Sequence, residues 1–91
     1  MYPFMTLEDN TEIVHSETYC QNGIETVKVY IETPIHLEFK SAECYLPKYE
    51  WKNIDGYSEK EMEYFKGLIK SVSHIIIQLA REGGLDNATN F

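Results

Sequence analysis

The side chains of this 91-residue sequence with the atoms for covalent or metal chemistry are His15, His36, His74, Cys20, Cys44 and Ser41. Nucleophilic catalysis needs a nucleophile held by a base, with a third group orienting that base. None of the six sits in a local signature that supplies such geometry. A zinc site is commonly announced by CxxC spacing, or by histidines one helical turn apart. Cys20 and Cys44 are 24 positions apart, and no histidine has another His, Cys or Asp at helical ligand spacing. The two cysteines therefore read as free, partly buried thiols, and His74 as a solvent-facing or hydrogen-bonded residue beside Gly67, Ser71, Gln78 and Arg81. Gly83-Gly84 follows a predicted helix rather than preceding one. Its neighbourhood carries the negative end of the helix dipole, which repels a phosphate. The sequence thus assigns no catalytic residue, metal ligand or cofactor.

Residues suited to binding are better represented. There are seven Tyr and one Trp, the types that anchor protein interfaces. Fifteen acids against eight bases give a formal charge of −7. The imbalance is concentrated in residues 1–50, which carry −6, while residues 51–91 carry −1. Such a surface disfavours nucleic-acid backbones and anionic lipid, whose binding is driven by Lys and Arg, and it favours basic proteins. Plain solubility and ordinary cross-strand tyrosine packing account for the same composition without any partner.

The elements that must position these residues begin with a helix over Ser58–Glu82. Ser58-Glu59-Lys60-Glu61 has the form of a capping box, and Tyr57 and Met62 have the spacing of a hydrophobic staple. Phe65, Leu68, Ile69, Val72, Ile75, Ile76, Leu79 and Ala80 recur at three and four, making one apolar stripe. Gly83-Gly84 supplies the left-handed stop, with Leu85 as the apolar contact beyond it.

Upstream, the pattern is that of strands. Tyr2–Leu7 and Glu12–His15 flank the polar turn Glu8-Asp9-Asn10-Thr11. Asn22-Gly23 predicts a type I′ hairpin between Val14–Cys20 and Ile24–Glu32. In the latter, Val27, Val29 and Ile31 alternate with Lys28, Tyr30 and Glu32. Thr33-Pro34 is expected to break this strand, since proline donates no ladder bond. A further strand over Ile35–Leu46 changes phase, from Ile35, Leu37 and Phe39 to Ala42, Cys44 and Leu46. This predicts a β-bulge near Lys40-Ser41. Pro47 ends it, Lys48–Lys52 is a short extended rim segment, and Asn53-Ile54-Asp55-Gly56 turns the chain into the helix.

The length fits one domain over residues 1–84, with residues 85–91 a frayed tail. No apolar run approaches the ~20 residues of a membrane span. Met1–Leu7 lacks the basic and apolar regions of a signal peptide, so a cytoplasmic location is expected. The run Ala42-Glu43-Cys44-Tyr45-Leu46-Pro47-Lys48-Tyr49-Glu50-Trp51, followed by Asp55-Gly56-Tyr57-Ser58 and an acidic helix start, resembles small proteins of Gram-positive bacteria found in mobile or accessory gene contexts. That group has no assigned activity. The resemblance spans about Thr6 to Gly84 and implies a bacterial or phage accessory role, with no residue role attached.

The expected fold is α+β: an antiparallel sheet of about four strands with one long C-terminal helix packed on one face. The expected function is that of a non-enzymatic acidic protein-binding module, antitoxin-like or inhibitor-like, that occludes a basic partner surface. Glu32, Glu38 and Glu43 would steer the partner, while Tyr30, Tyr45 and Trp51 supply contact area. The alternative is a self-associating homodimer built on the exposed sheet face. An enzyme using Cys44 or Cys20 with a histidine is the third reading.

Overall fold

The computed structural model describes residues 1–84. The chain runs β1 (Tyr2–Thr6), β2 (Glu12–His15), β3 (Tyr19–Gln21), β4 (Ile24–Ile35), β5 (Glu38–Leu46), β6 (Glu50–Asp55) and α1 (Glu59–Glu82). The fold is α+β, an antiparallel sheet under a single helix, with six strands among the described residues rather than about four. Leu85 and the tail over residues 85–91 lie outside the described residues.

The sheet order is β1-β2-β4-β5-β6, and β3 pairs with the start of β4 on the side that β2 occupies further along. β2 and β3 form one interrupted strand. Ser16 bridges the interruption: its amide donates to the Lys28 carbonyl at 2.9 Å, and its hydroxyl accepts from the Lys28 amide at 2.9 Å. Asn22 and Gly23 both have positive φ, 53° and 78°, the requirement of a type I′ turn.

Two strand expectations are corrected. β4 does not stop at Thr33-Pro34 but runs to Ile35, with Pro34 opposite Phe39. β2 ceases to pair beyond Glu12–Glu32, so one side of β4 is open there and the missing N–H of Pro34 breaks no ladder on that side. Nor is there a bulge between β4 and β5, whose register is unbroken from Val27–Leu46 to Ile35–Glu38. The apparent phase change arises because Ile35, Leu37 and Phe39 are not core at all, being 43%, 90% and 60% exposed at the hairpin end. The irregularity lies on the other flank of β5. There β6 carries an extra residue opposite Ser41–Glu43, with Asn53 at φ 52°. Consequently Asn53–Asp55 belongs to β6 rather than to a turn, and the segment after Pro47 becomes a full edge strand.

One face of the sheet is apolar. Ile13, Val27, Val29, Ile31, Ala42, Cys44 and Leu46 are buried there beneath Met62, Phe65, Ile69, Ile76, Leu79 and Ala80 of α1. Leu68, Val72 and Ile77 pack at the margin. Ile75 is 42% exposed, so Ile77 takes the place that periodicity gave to Ile75. Full burial of an Ile such as Ile69 or Ile76 is worth about 1.5–3 kcal/mol, a large share of the roughly 5–10 kcal/mol expected of so small a domain.

The helix is held at both ends. Ser58 Oγ accepts from the Glu61 amide at 3.1 Å and the Glu61 carboxylate accepts from the Ser58 amide at 2.9 Å, completing the capping box. Gly83 closes the helix at φ 85°. Lys40 of β5 bonds Glu61 at 2.6 Å, over the β4–β5 hairpin end. Arg81 grips Glu25 of β4 through Nε and Nη2, over the opposite end. A 24-residue helix spans about 36 Å, close to the length of the 12-residue β4 it lies along.

Candidate functional site

Register decides which side chains share the helix-free face. Residues directly opposite across the ladders form rows, and three rows matter. The first contains Glu12, Glu32, Ser41 and Asp55, one from each of β2, β4, β5 and β6. The second contains Val14, Tyr30, Glu43 and Lys52, and the third Lys28, Tyr45 and Glu50.

The second and third rows are internally satisfied. Glu43, with a side chain only 14% exposed, pairs with Lys28 Nζ at 3.1 Å. It also accepts from Tyr45 OH at 3.0 Å and from Asn53 Nδ2 at 2.8 Å. The Asn53 amide, then Lys28 and Tyr45, hold the Glu43 carboxyl below its ordinary range against the opposing effect of burial. Burial, and then the bond to Glu43, push the Tyr45 hydroxyl up. Lys52 lies over the Tyr45 ring, 5.2 Å from its centroid. Glu43 and Tyr45 thus spend their polar capacity on the sheet itself.

The first row differs. Glu12 and Glu32 face each other directly, and Asp55 lies beyond Ser41 in the same row. None of these acids, nor Glu38, takes part in an ion pair among the described residues. Lys40, nearest in sequence, is committed to Glu61 on the helix side and lies over the Tyr57 ring. Like charges directly opposite on adjacent strands are destabilising. Tyr30 donates to Glu32 Oε2 at 3.0 Å, fixing that carboxylate and leaving Oε1 free. Burial, then this bond, raise the Tyr30 pKa above its ordinary value. Tyr30, Glu32, Ile35, Glu38, Phe39, Lys40, Ser41, Asp55 and Gly56 line one groove beside the hairpin end.

Behind that groove the sheet is braced from the helix side. Thr33 Oγ1 lies 2.6 Å from Thr11 Oγ1 and 2.7 Å from Tyr57 OH. This buried hydroxyl chain ties β4 to the β1–β2 turn and to the helix entry.

Of the residues expected to form a docking face, the structure brings Tyr30, Glu32 and Glu38 together. Glu43 and Tyr45 lie on the same face in the satisfied network. Trp51 does not join them: it stands opposite Cys44 and packs against the core beside the helix. The alternation of Lys48–Lys52 gave its phase correctly but not its side, which depends on pairing with β5. Glu12, Asp55 and Phe39 were missed, because only the register of four strands puts them beside Glu32.

The nucleophile and metal candidates are scattered. Cys44 is buried, and burial pushes its thiol up to about 12, which leaves almost no thiolate at neutral pH. Cys20 is exposed on β3. His15 is fully buried, with Nδ1 2.8 Å from the Ser16 carbonyl. Nδ1 must carry the proton and donate, and Nε2 has no hydrogen-bond partner. Among the described residues no three His, Cys, Asp or Glu side chains converge as metal ligands. No described helix is long and apolar enough to cross a membrane.

Comparison of the chain with protein-family models, with curated proteins and with solved structures gives no match.

Proposed function

We propose that this protein is a small acidic binding module that occludes a basic surface on another protein, in the manner of an inhibitor or antitoxin. It performs no chemistry of its own in this reading. The observation that carries it is the cross-strand row Glu12–Glu32–Ser41–Asp55, three acids that form no ion pair among the described residues. A row of this kind costs stability when the protein is alone, and a basic partner relieves it. A bacterial or phage accessory setting and a cytoplasmic site of action accord with such a role.

The test is a nuclease-treated affinity capture from the native host, run in parallel with tagged wild type and with the double variant Glu32→Gln/Asp55→Asn. The expected result is a basic protein bound stoichiometrically to wild type and lost from the variant. Recovery of bait alone, or equal capture by both, overturns the reading.

A second reading, a homodimer, is favoured by the exposed apolar side chains Ile35, Leu37 and Phe39. The two outermost strands of the sheet disfavour edge pairing. β1 carries Pro3 and a register shift, and β6 carries the Asn53 bulge, both features that discourage edge-to-edge strand pairing. Sedimentation equilibrium distinguishes the two, since a monomer at tens of micromolar removes the homodimer.

A further inference from the structure

The solvent side of α1 carries a glycine that the fold does not require. Gly67 sits in mid-helix without a positive φ, and a Cβ there would meet no atom within 4 Å. Glycine in such a position costs stability relative to alanine, and no neighbour within the chain needs the space. Large apolar residues stand on either side of it along the helix. Tyr64 is 59% exposed, although its ring meets that of Phe65 with 5.6 Å between centroids, and Ile75 is 42% exposed.

Spacing shows what fits against this side. Counting outward from Ser71, exposed residues fall four, seven and eleven positions away in both directions. Eleven residues make about three turns, so they form one line opposite the buried stripe. Each residue before Ser71 has its complement at the same distance after it. Gly67, with no side chain, matches the protruding Ile75. Tyr64 matches Gln78, and the hydroxyl and the amide have no hydrogen-bond partner among the described residues. Lys60 matches Glu82, and neither is in an ion pair among the described residues. Ser71 turns its hydroxyl onto the Leu68 carbonyl at 2.7 Å, which keeps the centre of the line thin. A surface complementary to itself about one point is what an isologous two-fold contact requires.

We infer that α1 is the interface of a homodimer, in which two copies pack antiparallel about a two-fold axis at Ser71. Ile75 enters the notch over the partner's Gly67, Tyr64 lies against the partner's Gln78, and Lys60 meets the partner's Glu82. The bare Gly67 backbone lets the helix axes approach to about 8 Å. Glu63, Lys70, His74 and Arg81 border the seam on one side, with Arg81 held by Glu25; at an exposed rim such charges carry little energy. The unpaired carboxylates of the sheet lie on the far side of each copy. A single helix pair is smaller than a standard interface of roughly 1,600 Å², so the association is weak and depends on concentration. The dimer turns both sheets outward and displays the acidic row twice. It goes beyond the binding-module reading and does not depend on it.

Sedimentation equilibrium of the full chain tests this, with monomer expected at low micromolar concentration and dimer at tens of micromolar. Ile75→Asp is expected to weaken association by about tenfold or more. Gly67→Gln is expected to weaken it likewise while raising Tm, because glutamine is the better helix former and the site is open. A residue serving only the fold would not move the two readouts in opposite directions. Lys60→Glu should weaken the dimer and Lys60→Glu/Glu82→Lys restore it, and both changes suit the charges of the helix ends. A wild-type monomer at tens of micromolar overturns the proposal. So does a dimer unmoved by Ile75→Asp and Gly67→Gln, or a charge exchange that fails to restore it. A dimer lost with Phe39→Ser instead overturns the helix seam and assigns self-association to the β4–β5 hairpin end.

Discussion

Glu12 and Glu32 stand directly opposite one another on neighbouring strands of the same sheet face, and no lysine or arginine of the described chain lies in an ion pair with either. Opposed like charges in this arrangement each cost a few tenths of a kcal/mol, up to about 1. Neutralising one should therefore stabilise the protein. Glu32→Gln keeps an acceptor for Tyr30 and is expected to raise Tm by one to several degrees, while weakening capture of a basic partner. A lower Tm would mean that the row is not strained.

Leu37 holds a left-handed backbone at φ 60° while 90% exposed. Asparagine tolerates a left-handed backbone better than leucine does. Leu37→Asn is expected to stabilise the fold by up to about 1 kcal/mol, read from urea denaturation with an unchanged m-value. An unchanged or lower midpoint would mean that the left-handed backbone at Leu37 costs nothing.

Acid stability should depend on Glu43. Its folded pKa lies below the ordinary 4.5. Its contribution is therefore complete above about pH 4.5 and is lost as pH falls through the folded value. Glu43→Gln is expected to lower stability at neutral pH and to flatten the stability curve below pH 4.5. Parallel acid limbs for wild type and variant would show that Asn53, Lys28 and Tyr45 do not hold the carboxylate as described.

Much of the helix was legible in the sequence, because a capping box, an apolar period and a glycine stop are all local signals. The period alone did not separate Ile75 from Ile77, since both flank the stripe and only docking on a twisted sheet selects between them. Ile76→Asp should unfold the protein, whereas Ile75→Asp should leave the melting profile nearly unchanged; circular dichroism of the pair decides. The Asn22-Gly23 hairpin was equally local. Pro34 was misread because its tolerance depends on where β2 stops, at Glu12, 22 residues away in sequence. The same limit governed the site. Glu32 was recognised on its own strand, but Glu12 and Asp55 become its neighbours only through the register of β2, β5 and β6, and Trp51 was placed on the wrong side for want of its pairing with Cys44.

The thiols give a final discrimination. Cys20 is exposed and Cys44 buried, with its thiol held high by the apolar surroundings. Alkylation at neutral pH should label Cys20 alone, with Cys44 modified only on unfolding. Rapid selective labelling of Cys44 in the native protein would instead revive a catalytic cysteine.

Among the described residues all six strands precede the single helix, and this order has a consequence for biosynthesis. A polypeptide leaving the ribosome presents Val27, Val29, Ile31, Ala42 and Cys44 well before Phe65, Ile69 and Ile76 arrive to cover them. For that interval the nascent sheet is an uncovered apolar surface, open to association with other unfinished chains. Translational pausing or premature termination between Pro47 and Ser58 would lengthen or freeze that exposure. Expression yield should accordingly depend on how promptly the ribosome delivers the last third of the described chain.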